Sequence, residues 1–378
     1  MDAAEAQSVS VLFGGPSPEH DVSILTGLQA SRTLSSSSLY KEVHAIYWNK
    51  GGDFFEVSPT LEAEEFLGGL PKGAVKLSLF LGSKGGFVVK GGRLKGDKLL
   101  SSDVVVNCCH GRPGEDGSLQ AALDLAGVAY TGPTVAGAAL GMDKLTFGAL
   151  MAQAGLPVLP RALLTRNASS KEFPFEGPYI LKPRYGGSSI GIDVVKDLPT
   201  AIARLETNSH LQEGAVVEPY KPELYDIQIG VRNWPTPSVS AIEKPLRGGG
   251  SSEILGYADK YAGGEGMVSA ARELPANLPS EVAQRVRDYA MTVAQVAGVR
   301  GVARVDFLYG EEGLYLNEIN TIPGSMAKYL WIDPPIEFAT LLHDMITEAM
   351  IRPAVRYSTA GADGSALAKA GSIAAKLA

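Results

Sequence analysis

Between residues 302 and 320 apolar and polar positions alternate with the two-residue period of half-buried strands. Strands are expected over 302–309 and 314–320, joined by a turn at Gly310-Glu311-Glu312-Gly313. On such strands every second side chain shares a face, so Arg304 lies with Asp306 and Glu318 with Asn320. A hairpin with a solvated face would satisfy the alternation alone. It would not explain why the polar end of the second strand runs into Asn320-Thr321-Ile322-Pro323-Gly324, a Gly-containing turn of the kind on which sites are built.

The same reading from the N-terminus predicts a strand over 8–13, a turn at Gly14-Gly15-Pro16, and a helix starting near Asp21 or Ser23. Strands over 42–48 and 103–107 and a helix over 119–126 follow, the pattern of a doubly wound parallel sheet. The Gly-rich stretch 82–96 reads as a hairpin excursion outside the core. From residue 134 the pattern becomes α+β: a helix to 154, strands over 179–183, 191–195 and 215–218, and a helix ending at 207. A third stretch holds a helix over 280–297, the hairpin, and a last helix near 336–350. The expected organisation is an N-terminal α/β domain (1–133), a central subdomain (134–224), a C-terminal subdomain (225–357) and an Ala/Gly/Ser-rich, mobile tail (358–378).

Composition narrows the partners. A net charge of -7 with only 34 Lys and Arg offers no basic block for a phosphate backbone, so nucleic acid is not expected. No apolar run approaches the length of a membrane span. Cys108 and Cys109 are adjacent, where a disulfide would be strained, and no signal-peptide pattern precedes Val9. The expected setting is a reducing cytoplasm.

Two clusters carry chemistry. Asp306, Glu318 and Asn320 offer hard oxygens, which suit Mg²⁺ arriving with nucleotide phosphates better than zinc, and Arg304 beside them can stabilise developing negative charge. The second cluster is Lys182-Pro183-Arg184-Tyr185-Gly186-Gly187-Ser188-Ser189-Ile190-Gly191. A strand delivers Lys182, and the loop after it can wrap phosphate oxygens with N–H groups and hydroxyls. The lysine precedes the glycines, so this is not a P-loop. A hairpin loop closing over a triphosphate, with Lys182 and Lys144 as point charges, fits better. Taken alone, the loop reads equally as a flexible Gly/Ser hairpin.

With Gly14 to Ser23, His110-Gly111-Arg112-Pro113-Gly114-Glu115-Asp116-Gly117, Met142-Asp143-Lys144 and Asp259-Lys260-Tyr261, these blocks resemble the D-alanine–D-alanine ligase family. The resemblance implies an ATP-grasp ligase architecture, an N-terminal doubly wound domain followed by two α+β subdomains that clamp ATP. It implies activation of a D-amino acid carboxylate as an acyl phosphate, then attack by the amine of a second amino acid. It places Lys144, Lys182, Gly187 and Ser189 on ATP phosphates, Glu218 at the adenine pocket and Asp226 at the ribose. Asp306, Glu318 and Asn320 would hold two Mg²⁺ ions, with Mn²⁺ as the alternative. Arg304 and the Gly324 N–H would meet the oxyanion. Glu19 would pair with the donor ammonium in a Glu19–Ser188–Tyr261 hydrogen-bond set, with His110 beside it. The substrates would be small amino acids, and a homodimer is common in the family.

Departures bear on the acceptor. Tyr329 stands where the family has a serine that receives the second carboxylate, with Lys328 before it and Leu330 after it. A phenol there reshapes the pocket or leaves the carboxylate to Lys260 or Lys328. Gly148 stands where a second lysine often follows Met-Asp-Lys, and Asp226 where a glutamate commonly sits. The leading expectation is D-alanine–D-alanine ligase activity. A specialised paralogue joining another amino acid or amine is the alternative, and a non-catalytic nucleotide-binding protein a third. Loops 186–191 and 262–266 are expected to close over the nucleotide.

Overall fold

The computed structural model describes residues 7–91, 96–166, 173–246 and 272–377. The first sheet has eight strands: β1 (Ser8–Gly14), β2 (Glu42–Trp48), β3 (Phe54–Val57), β4 (Val75–Phe80), β5 (Gly86–Val89), β6 (Lys98–Leu99), β7 (Val104–Asn107) and β8 (Ala129–Tyr130), in the order β6-β5-β4-β3-β2-β1-β7-β8. The pairs β2-β1, β1-β7 and β7-β8 are parallel, as the strand-helix alternation requires. The remainder is antiparallel, so residues 82–96 are no excursion: β5 lies within them and continues the sheet. β1 is buried along its whole length because both its faces are covered. Val9, Val11 and Phe13 enter one core with Ile24 and Leu28 of α1 (His20–Ser35), and Leu12 the other with Leu119 and Leu123 of α2 (Ser118–Ala126).

Two antiparallel sheets follow. One contains β9 (Ala162–Leu164), β10 (Tyr179–Pro183), β11 (Asp193–Val195) and β12 (Ala215–Pro219), ordered β11-β10-β12-β9 and packed on α5 (Leu198–Thr207). The other contains β13 (Tyr225–Arg232), β14 (Ser238–Pro245), β15 (Arg272–Glu273), β16 (Val302–Gly310) and β17 (Gly313–Asn320), ordered β15-β14-β13-β16-β17 and backed by α6 (Ser280–Val296). Its hairpin turn is tighter than expected, because Gly310 pairs directly with Gly313.

Three further differences have local causes. The helix expected over 134–154 is broken into α3 (Val135–Met142) and α4 (Lys144–Gln153) by Asp143, whose backbone is extended. Its carboxylate accepts from the Leu145 and Thr146 N–H groups at 3.1 and 3.3 Å, an N-cap that starts a new helix at Lys144. The last long helix, α7 (Phe338–Ile351), buries Leu341, Leu342, Met345 and Ile346 against the first sheet, so the chain returns to its N-terminal core. The tail contains two short exposed helices, Ser365–Ala368 and Ile373–Leu377. No helix among the described residues is long and apolar enough to cross a membrane.

Candidate active site

Strand register places the polar side chains of the third sheet in two rungs. Gln228 of β13, Asp306 of β16 and Glu318 of β17 are paired across neighbouring strands, and Gly230, Arg304 and Asn320 form the next rung. Arg304 forks onto Asp306, Nε to Oδ1 and Nη2 to Oδ2, both at 2.8 Å, and Asn320 Nδ2 donates to Oδ2 at 3.1 Å. Asp306 and Arg304 are buried, so the fork also supplies the charge partner each needs out of water. The alternation that groups these residues holds up to a bulge: Asp306 pairs with Glu318, but Phe307 pairs with Leu316, leaving Asn317 as an extra residue. The bulge turns Asn317 towards the cleft, where its Oδ1 accepts from Lys182 Nζ at 2.9 Å.

Lys182, at the end of β10, also donates to Glu218 Oε2 at 2.7 Å, and Arg161 Nε lies 2.9 Å from Glu218 Oε1. Glu218 is 1% exposed. Burial opposes its charge, but Lys182 and Arg161 outweigh burial and hold its carboxyl below the usual range. Lys144, delivered by the Asp143 cap, reaches to 3.2 Å of Glu318 Oε2 and donates to the Gly186 carbonyl. Asp143 is held in turn by the Arg184 fork at 2.9 and 2.6 Å. Lys144, Lys182, Glu218, Asn317 and Glu318 line an open cleft of about 930 Å³ between the second and third sheets, which Gly187, Ser189 and Asp226 also border.

A smaller cavity of about 330 Å³ adjoins it, bordered by Glu19, Glu115, Lys144, Gly187, Glu318 and Asn320. Ser188 Oγ donates to Glu19 Oε1. A Cβ at Gly187 would stand 2.9 Å from Glu19 Oε2, so a larger residue there would push the carboxylate aside. Ser188 and Ser189 have φ of 53° and 58°, a left-handed conformation that non-glycine residues hold only where surroundings enforce it.

His110 joins the first sheet to the loop after β17. Its Nδ1 donates to the Ile322 carbonyl at 2.6 Å, and its Nε2 accepts from Thr26 Oγ1 at 2.8 Å. Thr26 Oγ1 accepts in turn from the Ser325 N–H at 3.0 Å. This chain is complete with a neutral ring. Burial, reinforced by the charge of Arg304 and opposed by the Ile322 bond, lowers the His110 pKa to about 4. Glu115 fastens the same loop, accepting from Ile322 N–H at 2.8 Å, Thr321 Oγ1 at 3.1 Å and Gly111 N–H at 3.1 Å. Burial and the Glu19 charge push its carboxyl up to about 7 against those donors. Beyond Gly324, residues Ser325, Met326 and Ala327 all have φ near 50° and turn the buried chain left-handedly.

The residues expected at the acceptor lie apart from these two cavities or outside the described residues. Leu330 is fully buried and belongs to the same core cluster as Val9 and Leu341. Lys328 Nζ sits 4.7 Å over the Phe338 ring, and Tyr329 lies under the Arg272 guanidinium at 4.6 Å. Neither borders the two cavities above. Lys260 and Tyr261, like loop 262–266, fall outside the described residues. Among the described residues no cluster of three His, Cys, Asp or Glu forms a cage. Two carboxylates and a carboxamide on adjacent strands instead fit a hard cation that completes its shell with phosphate oxygens and water.

Arg161, Asn317 and Glu115 were not singled out by pattern. Asn317 is displaced by the bulge, Arg161 is an isolated arginine before β9, and Glu115 stands inside the block 110–117 with nothing in its spacing to mark it.

Comparison with known proteins adds an independent line. Residues 8–133 match "D-ala D-ala ligase N-terminus" and residues 150–347 match "D-ala D-ala ligase C-terminus". The chain is 30% identical over 325 residues to the D-alanine–D-alanine ligase of Campylobacter lari, covering 85% of this chain and 89% of that one. It is 32% identical over 368 residues to the ligase of Nocardia farcinica, covering 91% and 97%. The D-alanine–D-alanine ligase structure from Coxiella burnetii superimposes with a TM-score of 0.75 over 92% of this chain and 95% of that one, at 22% identity.

Proposed function

Since the chain belongs to the D-alanine–D-alanine ligase family, we propose that it is an ATP-dependent carboxylate–amine ligase that joins two D-alanines. The observation that carries the site assignment is the Arg304–Asp306–Glu318–Asn320 double rung facing Lys144 and Lys182 across one cleft.

In this reading ATP lies in the larger cleft with its triphosphate between the two lysines and the loop from Gly186 to Gly191. The donor carboxylate attacks the γ-phosphorus, ADP leaves, and an acyl phosphate forms. The acceptor amine then adds to the acyl carbon, loses a proton, and expels phosphate. Phosphoryl transfer needs chiefly charge neutralisation and alignment, and the lysines supply both. Asp306, Glu318 and Asn320 would hold Mg²⁺, which when bound offsets charge on the phosphate oxygens. Glu19, held by Ser188, would pair with the donor ammonium. The Arg304 guanidinium and the Gly324 N–H would meet the oxyanion on the acyl carbon. Asp226 borders the nucleotide cleft and Glu218 closes its floor.

Phosphate release with ATP, Mg²⁺ and single amino acids tests this. D-alanine alone is expected to sustain turnover, and to do so better than D-serine or D-lactate offered as acceptor beside it. Nucleotide binding without turnover on D-alanine would overturn the substrate assignment and favour a ligase with another acceptor.

A further inference from the structure

Arg161 is buried to within 6% of its side-chain surface and touches three parts of the nucleotide cleft at once. Its Nε stands 2.9 Å from Glu218 Oε1 as a charge contact without hydrogen-bond alignment. Its Nη2 donates to the Asn317 carbonyl at 2.5 Å, and its Nη1 to the Lys144 carbonyl. One guanidinium thus spans β12, the β17 bulge and the first residue of α4, the three places from which Glu218, Asn317 and Lys144 enter the site. A lysine has no such fork.

The space for it comes from Gly148 on α4. A Cβ there would lie 2.5 Å from Arg161 Nη1, 2.7 Å from Cδ and 2.9 Å from Cζ. Any larger residue at 148 therefore displaces the guanidinium. The missing side chain at 148 and the arginine at 161 form one device.

Charge gives the device its use. Glu218 meets two cations, Lys182 and Arg161. Were Lys182 its sole counter-ion, releasing the ammonium to a phosphate would strand a buried carboxylate. With Arg161 fixed beside Glu218, Lys182 can turn towards the triphosphate while Glu218 stays neutralised. We propose that Arg161, seated on Gly148, is a positioning residue of the nucleotide site that frees Lys182 for phosphate and holds Lys144 and the β17 bulge in place. This rests on the cleft being the ATP site.

The test is direct binding of ADP and of a non-hydrolysable ATP analogue, beside the KM values for ATP and amino acid, in Arg161→Lys, Gly148→Ala and the double variant. Arg161→Lys is expected to weaken nucleotide affinity about tenfold while the amino acid KM stays within about twofold. Gly148→Ala is expected to shift affinity in the same direction by moving the guanidinium, and to add nothing once Arg161 is already lysine. Unchanged nucleotide affinity in Arg161→Lys, or additive effects in the double variant, would overturn the proposal. So would equal loss for nucleotide and amino acid with a lowered Tm, the mark of a purely structural arginine. Failure of the unaltered protein to bind nucleotide would overturn the reading of the cleft and the proposal together.

Discussion

Charged side chains at this site are buried in mutually neutralising sets, and the cost of breaking a set sets the size of each effect. Asp306 accepts from Arg304 and Asn320 and faces Glu318 across the strands. Asp306→Asn keeps the shape but removes the charge. A folded protein with turnover reduced by about two orders of magnitude or more is expected from steady-state kinetics, because both the cation and Arg304 lose their anionic partner. His110 makes a second, titratable case. Its folded pKa of about 4 lies below the ordinary 6.5, so between these values the unfolded chain binds a proton that the folded chain refuses. Stability from this group is therefore whole above about pH 6.5 and falls as pH drops towards 4, by about 3 kcal/mol in total. Glu115 has the opposite sign: its pKa is raised to about 7, so its contribution is present below 4.5 and lost as pH rises through 7. Denaturant titrations of wild type and His110→Gln from pH 7.5 to 4.5 separate the two. In wild type the two opposing contributions largely cancel over this range, whereas the variant keeps only that of Glu115 and is expected to gain stability relative to wild type as pH falls; parallel curves would contradict the assignment.

Elements show why part of the site was legible from sequence and part was not. β2 and β10 were expected at their observed bounds, because short apolar runs flanked by polar turns permit few alternatives. Arg304, Asp306, Glu318 and Asn320 followed from strand period alone. Asn317 did not, because a bulge breaks that period and the break depends on cross-strand pairing. Arg161 and Glu115 did not, because their partners lie 57 and about 200 positions away in chains of contact that no local pattern encodes. Leu330 belongs to the first core, a placement its position after Tyr329 in the sequence does not reveal. The break at Asp143 was missed for want of a Gly or Pro, since an aspartate can cap a helix within a helical pattern. Asp143→Ala removes the cap and the partner of Arg184. It is expected to cost about 2 kcal/mol in denaturant unfolding and to raise the KM for ATP, because Lys144 begins the helix that the cap starts. A stability loss without a KM change would show that α4 keeps Lys144 in place unaided.

At the scale of the whole molecule, the candidate site draws its groups from three sheets and the loops that follow their strands. The loop after β17 is tied to the first sheet by His110 and Glu115, and the glycine loop reaches it through Ser188 and Glu19. A ligand bridging these parts should therefore stabilise the whole chain. At a hundredfold excess over Kd, a nucleotide adds about 2.7 kcal/mol to unfolding free energy. Hydrogen exchange in residues 186–191 is expected to slow on adding ATP analogue and Mg²⁺, and unchanged exchange there would argue against loop closure over phosphate.

The central claim is chemical, that a carboxylate oxygen attacks the γ-phosphorus before the peptide bond forms. D-alanine labelled with ¹⁸O in its carboxylate, incubated with ATP, Mg²⁺ and the enzyme, tests it in one measurement by mass spectrometry of phosphate and dipeptide. One ¹⁸O in each phosphate released, in step with D-alanyl-D-alanine, is the expected result. Phosphate free of label, or released without dipeptide, would contradict the ligase mechanism.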